Sequence, residues 1–235
     1  GALYSSAVLG AGLLYFAVGR INIIDMTLSF FMSLSFIGLW FAVRDGERGR
    51  LAPVLVFHAG MALAVLSKGL VGVVLPAAVL GAYALLVRDA SPIRRALDWR
   101  GIALFLALTV PWFFEVCRRN PDFFHFFFVQ EHFLRYATRM HGRYEPHWFF
   151  IPILLVGLIP WTGLLPGALA SAFPRPLRNL GREKKDELFH LLWFGVIFVF
   201  FSLSSSKLVP YIVPALPPLA ILMGGWASRN KYSLV

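Results

Sequence analysis

Apolar stretches alternate with short polar connections along the whole chain. Eight of them are long enough to matter, roughly over residues 2–19, 27–43, 52–67, 70–87, 101–117, 148–170, 188–203 and 208–226. A bilayer core takes about 20 apolar residues per helix, and shorter segments are accommodated by packing and local thinning of the bilayer. Glycine and proline inside such segments are compatible with spanning, because neighbouring helices satisfy the freed backbone groups. The pattern predicts an all-α polytopic membrane protein with about eight transmembrane helices. Residues 1–235 read as a single transmembrane domain, with no solenoid-length repeat and no soluble domain. The longest polar connection, 118–147, starts as a run of phenylalanines and ends rich in histidine, arginine and glutamate. Asn120 suits an N-cap and Pro121 a first helical position, so a helix over about 121–140 is expected to lie along the interface, its aromatic half in the headgroup boundary.

Composition agrees. Apolar residues make up 58% of the chain and charged residues 14%, whereas a soluble domain carries roughly 25% charged residues. The lone cysteine, Cys117, excludes an intrachain disulfide. A net charge of +10 would suit nucleic acid or anionic lipid, but in a membrane protein its placement matters more than its sum. Of the 22 Lys and Arg, 14 fall in "RDGERGR", "RDASPIRRALDWR", "FPRPLRNLGREKKDE" and the tail "RNK". That bias places these connections in the cytoplasm. The alternate connections then face the periplasm or exterior, and no nucleic-acid partner is expected. The first segment, "GALYSSAVLGAGLLYFAVG", begins without Met or a basic flank; it reads as a helix entered partway rather than a secretory signal, and the chain is expected to be a fragment of a longer protein.

The periplasmic face collects four polar motifs. "RINIIDMTL" sets Asp25 at a helix mouth, as an N-cap or as a carboxylate for a metal, a sugar hydroxyl or an ammonium. "LSKGL" breaks an apolar run with Lys68, either snorkelling or offering a point charge to a phosphate, with Gly69 allowing close backbone approach. Glu131, Arg135 and Arg139 recur at i,i+4 on one helix face, as a surface ion pair or with Arg135 turned to a lipid phosphate and steadied by Glu131. His132 is a proton carrier, a ligand or simply a hydrogen-bonding group; His141 and His147 are too loosely spaced for a zinc site. In "SSSKLVPYIVPALPPL", Lys207 and Tyr211 are again four apart, where prolines preclude a regular helix and a broken segment lines a cavity. Lys68, Arg135, Lys207 and Tyr211 together suggest a cup for the phosphate of a lipid whose chain lies between helices. No nucleotide loop, HExxH or GxSxG motif is present.

"IDM" after a helix, "LSKG", "F-x-x-EHFLRY" and "SSSKLVPYIVPALPPLA" resemble, in this order, the lipid A aminoarabinose transferase family. That family belongs to the protein O-mannosyltransferase-like superfamily of C-type membrane glycosyltransferases. The resemblance implies transfer of a hexosyl or pentosyl group from a polyprenyl-phosphate donor, of the undecaprenyl phosphate type, to lipid A or another periplasmic acceptor. By the same resemblance Lys68, Arg135 and Tyr211 match contacts to the donor phosphate, and Asp25 an acid lining the active-site cavity. Glu131 and His132 match a supporting "EH" pair, and Lys207 the lysine opening the last motif. The family's main acid lies in its first periplasmic loop, which would fall upstream of Gly1, so the isolated chain is expected to lack it and to be inactive by itself. No cofactor is assigned; a divalent metal is left open. A polyprenyl-phosphate or lipid transporter, a protein O-mannosyltransferase-type enzyme and a structural membrane subunit are the competing readings. Inverted repeats, which would favour the transporter, are not found.

Overall fold

The computed structural model describes residues 1–21, 23–44, 51–127, 145–173 and 180–230. Among these the regular structure is entirely helical. The α-helices are α1 (Ala2–Ala11), α2 (Leu13–Gly19), α3 (Ile24–Arg44), α4 (Leu51–Lys68), α5 (Val71–Val87), α6 (Ser91–Ala96), α7 (Trp99–Arg119), α8 (Phe150–Gly157), α9 (Leu165–Ala172), α10 (Arg182–Leu203) and α11 (Leu216–Arg229). Short 3-10 segments cover Thr162–Leu164 and Val209–Ala215. Five helical stretches are long and apolar enough to cross a membrane, or up to seven if each bent pair counts as one span. The 17-residue α5 is apolar but shorter. All eight expected segments are therefore helical.

Two of them are not straight. The α1–α2 pair bends by 65° at Gly12, and the expected single span over 148–170 is broken by 115° between α8 and the segment Thr162–Ala172. The second break has a local cause: Pro160 lacks an N–H and restricts the residue before it. The two breaks face each other. The Leu13 N–H, freed at one, donates to the Ile159 carbonyl, freed at the other, at 3.1 Å. The second bent pair still joins the two ends of α10: α8 starts beside Ser202, through His147, and α9 ends beside Lys184, which donates to the Ser171 carbonyl at 2.8 Å.

The α3–α4 pair is the frame for the site. Gly38 lies against the backbone of Phe57 and Pro53, and Gly60 against that of Phe31 and Ser35. Small residues at both contacts let the helix backbones approach closely, which is how membrane helices associate where no hydrophobic drive exists between them. Phe36, on the same helix, stacks on the buried Trp193 of α10 at 4.6 Å, and Leu39, Phe189, Ile197, Ile212, Leu219 and Met223 complete a core with no solvent exposure. Helix α7 is the least covered span: Gly101 seats it on the His58 ring of α4, while Leu106, Val110 and Phe114 face outward.

Asn120 does not cap a following helix with its side chain. It ends α7, its backbone N–H and its side-chain amide both donating to the Val116 carbonyl, at 2.9 and 3.3 Å. A helical turn does follow, with the Phe123 N–H on the Asn120 carbonyl at 3.0 Å. The rest of the expected interfacial helix, with Glu131, His132, Arg135, Arg139, His141 and Arg143, lies outside the described residues.

Candidate functional site

Helix α3 begins at Ile24, so Asp25 sits inside its first turn rather than at the capping position before it. Lys68 is the last residue of α4. Gly69, with φ 80°, closes that helix in the left-handed conformation, and its N–H donates to the Val65 carbonyl at 2.7 Å. Only glycine adopts this backbone without cost, and it is the usual helix terminator. Because α3 and α4 run antiparallel and in contact, the start of one and the end of the other meet. Lys68 Nζ forms an ion pair with Asp25 Oδ1, the side chains being 25% and 12% exposed.

The third member comes from the far end of the chain. Val209–Ala215 winds as a 3-10 helix because Pro210 and Pro214 cannot donate backbone bonds. It brings the Tyr211 ring to 4.2 Å from Lys68 Nζ, centroid to cation. The ring also meets Phe201, tilted by 44° with the centroids 5.5 Å apart. Lys68 is thus held between a carboxylate and an aromatic face, the cation–π part worth about 0.5–2 kcal/mol. The arrangement is a partly exposed cation whose position is set by groups from three segments, at one end of the spanning helices. On the outward side of α3 a separate cleft of about 430 Å³ is lined by Arg20, Met26, Thr27 and Phe30 among others.

Lys207 goes elsewhere. It is 2% exposed, and its Nζ donates to the carbonyls of Glu145 at 2.8 Å and Ser204 at 2.6 Å. Burial pushes its ammonium below the ordinary lysine range, opposed by the Glu145 carboxylate. Lys207 and Tyr211 therefore do not act as an i,i+4 pair: the lysine precedes the 3-10 segment, and the spacing has no helical meaning there. Of the residues expected in the site, the structure brings Asp25, Lys68 and Tyr211 together and places Lys207 in a backbone-holding role beside them. No group of three His, Cys, Asp or Glu stands together among the described residues.

A second polar layer lies at the opposite end of α3, about 30 Å away by helix rise. Asp186 accepts from Trp40 Nε1 at 3.0 Å and pairs with Arg44 Nε at 3.3 Å, while Glu187 accepts from Arg229 and Lys184, both at 2.6 Å. His190 bonds the Asp186 carbonyl at 2.8 Å. None of these residues was among those expected from the sequence to form a site. The network's signal was Asp186 and His190 four apart in "DELFHLLW", polar on one face of an apolar helix.

A polytopic all-helical membrane protein with a largely buried cluster of carboxylate, ammonium and phenol at one end of its helices is the class this fold and site define. The family described as dolichyl-phosphate-mannose-protein mannosyltransferase matches residues 2–127, and the chain belongs to that family. It is 34% identical over 221 residues to the undecaprenyl phosphate-alpha-4-amino-4-deoxy-L-arabinose arabinosyl transferase 1 of Proteus mirabilis, covering 93% of this chain and 38% of the relative. It is 36% identical to the corresponding arabinosyl transferase of Pseudomonas aeruginosa strain UCBPP-PA14, covering 94% of this chain and 38% of the relative. Among solved structures, ArnT from Cupriavidus metallidurans bound to undecaprenyl phosphate superposes with a TM-score of 0.88 at 36% identity, over 97% of this chain and 41% of ArnT. The apo form of the same protein gives 0.82 at 34% identity, over 98% and 42%. The chain thus spans about two fifths of the length of these relatives.

Proposed function

We propose that this chain is part of a membrane glycosyltransferase that takes a sugar from a polyprenyl-phosphate donor, of the undecaprenyl phosphate type, and transfers it to lipid A or another acceptor at the periplasmic side of a bacterial inner membrane. The observation that carries this reading is Lys68 held between Asp25 and Tyr211 at one end of the spanning helices, in a chain of this family. The donor phosphate exchanges with the Asp25 carboxylate for Lys68, and the Tyr211 hydroxyl and Arg135 supply further donors to it. Positive charge preplaced at the leaving phosphate stabilises the negative charge that develops as the anomeric carbon is attacked. A phosphate acceptor is already ionised; a hydroxyl acceptor needs a carboxylate base. Asp25, once Lys68 has turned to the phosphate, lies nearest that role among the described acids. A divalent metal is not required by this scheme.

The transporter reading needs helix breaks that open onto a substrate. Here the gap where the breaks meet holds only about 10 Å³ and is lined by Val8, Leu9, Tyr15, Leu158 and Leu216 among others, room for one water at most and not for a lipid headgroup. The test is binding of undecaprenyl phosphate to the purified protein, wild type against Arg135→Ala. Saturable binding that weakens about 10-fold or more, the loss of one charge-assisted contact, supports the reading. Equal binding by both folded proteins removes Arg135 from the site.

A further inference from the structure

Lys207 carries one of the four expected phosphate contacts, yet its surroundings describe a different task. Its ammonium is enclosed and donates to two backbone carbonyls far apart in sequence, Glu145 and Ser204. Bonds from a charged donor are the strong class, and with 2% exposure the residue has almost no surface to offer a ligand. A parallel strap runs beside it: His147 Nδ1 donates to the Ser202 carbonyl at 3.0 Å, which requires the tautomer protonated at Nδ1. Within the turn, Ser204 Oγ donates to the Ser206 carbonyl at 3.0 Å. The turn so closed has a fixed span. Phe201 stands on one side of it and Tyr211 on the other, and these two rings pack together. The first bond of the 3-10 segment, Tyr211 N–H to the Leu208 carbonyl at 3.0 Å, continues directly from it.

We infer that Lys207 is a positioning residue: by fastening the Ser202–Ser206 turn to Glu145 it sets the Tyr211 ring over Lys68, and it does not touch the lipid phosphate. The inference rests on the donor-binding reading of Lys68 and Tyr211 for its effect on lipid, but not for its effect on the ring. Lys207→Met removes the donors at nearly equal volume. Lys207→Gln keeps N–H groups but is too short to hold both carbonyls, and serves should the methionine variant fail to fold.

The first readout needs no lipid. The ε-methylene of Lys68, under an aromatic face, resonates upfield of an ordinary lysine, and Tyr211→Leu identifies the shift. A folded Lys207 variant is expected to lose most of that displacement; a folded variant that keeps the wild-type position overturns the inference. The second readout is affinity for undecaprenyl phosphate in the full-length protein. The Lys207 variant is expected to bind about 10-fold more weakly in the wild-type background and no more weakly in the Tyr211→Leu background, since a residue acting through Tyr211 has nothing left to position. Equal losses in both backgrounds make Lys207 a direct phosphate ligand and overturn it. If the wild type itself binds no undecaprenyl phosphate, the donor-binding reading fails, and the methylene shift alone decides for or against Lys207.

Discussion

Replacing Lys68 by methionine removes one charge of the Asp25 pair while keeping most of the volume. The Asp25 side chain is 12% exposed, so its carboxylate would be stranded in a site built around a cation. Breaking a fully buried pair costs about 3–5 kcal/mol, and an exposed pair is worth roughly 0–1 kcal/mol. With Lys68 one quarter exposed, the expected cost lies between, about 2–3 kcal/mol. For a chain of this size each kcal/mol lowers the melting temperature by about 2–4 °C, so Lys68→Met should melt roughly 4–12 °C below wild type in the same detergent. Asp25→Asn alone should cost less, because the lysine stem can swing its ammonium to water. The double variant should melt above Lys68→Met, with a coupling of about 1–2 kcal/mol. Its affinity for undecaprenyl phosphate should remain as low as that of Lys68→Met, because the phosphate needs the cation whatever becomes of Asp25. Melting shifts that simply add, or lipid affinity restored in the double variant, would refute the placement of Lys68 between carboxylate and phosphate.

Tyr211→Phe keeps the ring face over Lys68 and should bind undecaprenyl phosphate about 5-fold more weakly; Tyr211→Leu should weaken binding further and also lower the melting temperature, and a phenylalanine variant with unchanged affinity would remove the hydroxyl from the site. Gly38→Ala should destabilise by more than about 2 kcal/mol, because the new methyl meets the Phe57 backbone rather than a movable side chain; an unchanged melt would contradict the close α3–α4 contact. In a Cys117→Ser background, Asp122→Cys should react with an impermeant maleimide added to spheroplasts and Gly181→Cys should not; the reverse pattern would invert the topology. The Asp98 carboxyl is held at about 2 by the Arg100 side chain and N–H. Its folded value lies below the unfolded one, so its contribution to the start of α7 is present above about pH 4 and lost as pH falls through about 2. A carboxyl ¹³C midpoint near 3.9 would contradict that cap.

The spans were legible because hydropathy needs no tertiary information: each apolar run became a helix. The breaks were half legible. Gly157 and Pro160 mark the second in the sequence, but a 148–170 run of this hydropathy hides a bend. The site divides in the same way. Asp25, Lys68 and Tyr211 each stood out as polar residues in apolar surroundings, and the charge bias sorted them to one face. Their mutual contact was not legible, since it depends on α3 and α4 closing over Gly38 and Gly60 and on the 3-10 path through Pro210 and Pro214. Lys207 was read through an i,i+4 spacing that has meaning only in an α-helix, and the chain there is not one. Asp186 and His190 were hidden because a charged helix start looks like an ordinary cytoplasmic edge.

The central claim is that Lys68 meets a lipid phosphate. It is tested most directly by ¹⁵N–³¹P distance measurement on the full-length protein in bilayers, with lysine labelled at Nζ and undecaprenyl phosphate bound. The account predicts strong dephasing of one lysine signal, assigned to Lys68 by its loss in Lys68→Met, at a separation of about 3–4 Å, the length of a charge-assisted contact with its phosphorus one bond further. A Lys68 signal that shows no dephasing while the lipid is bound would contradict it.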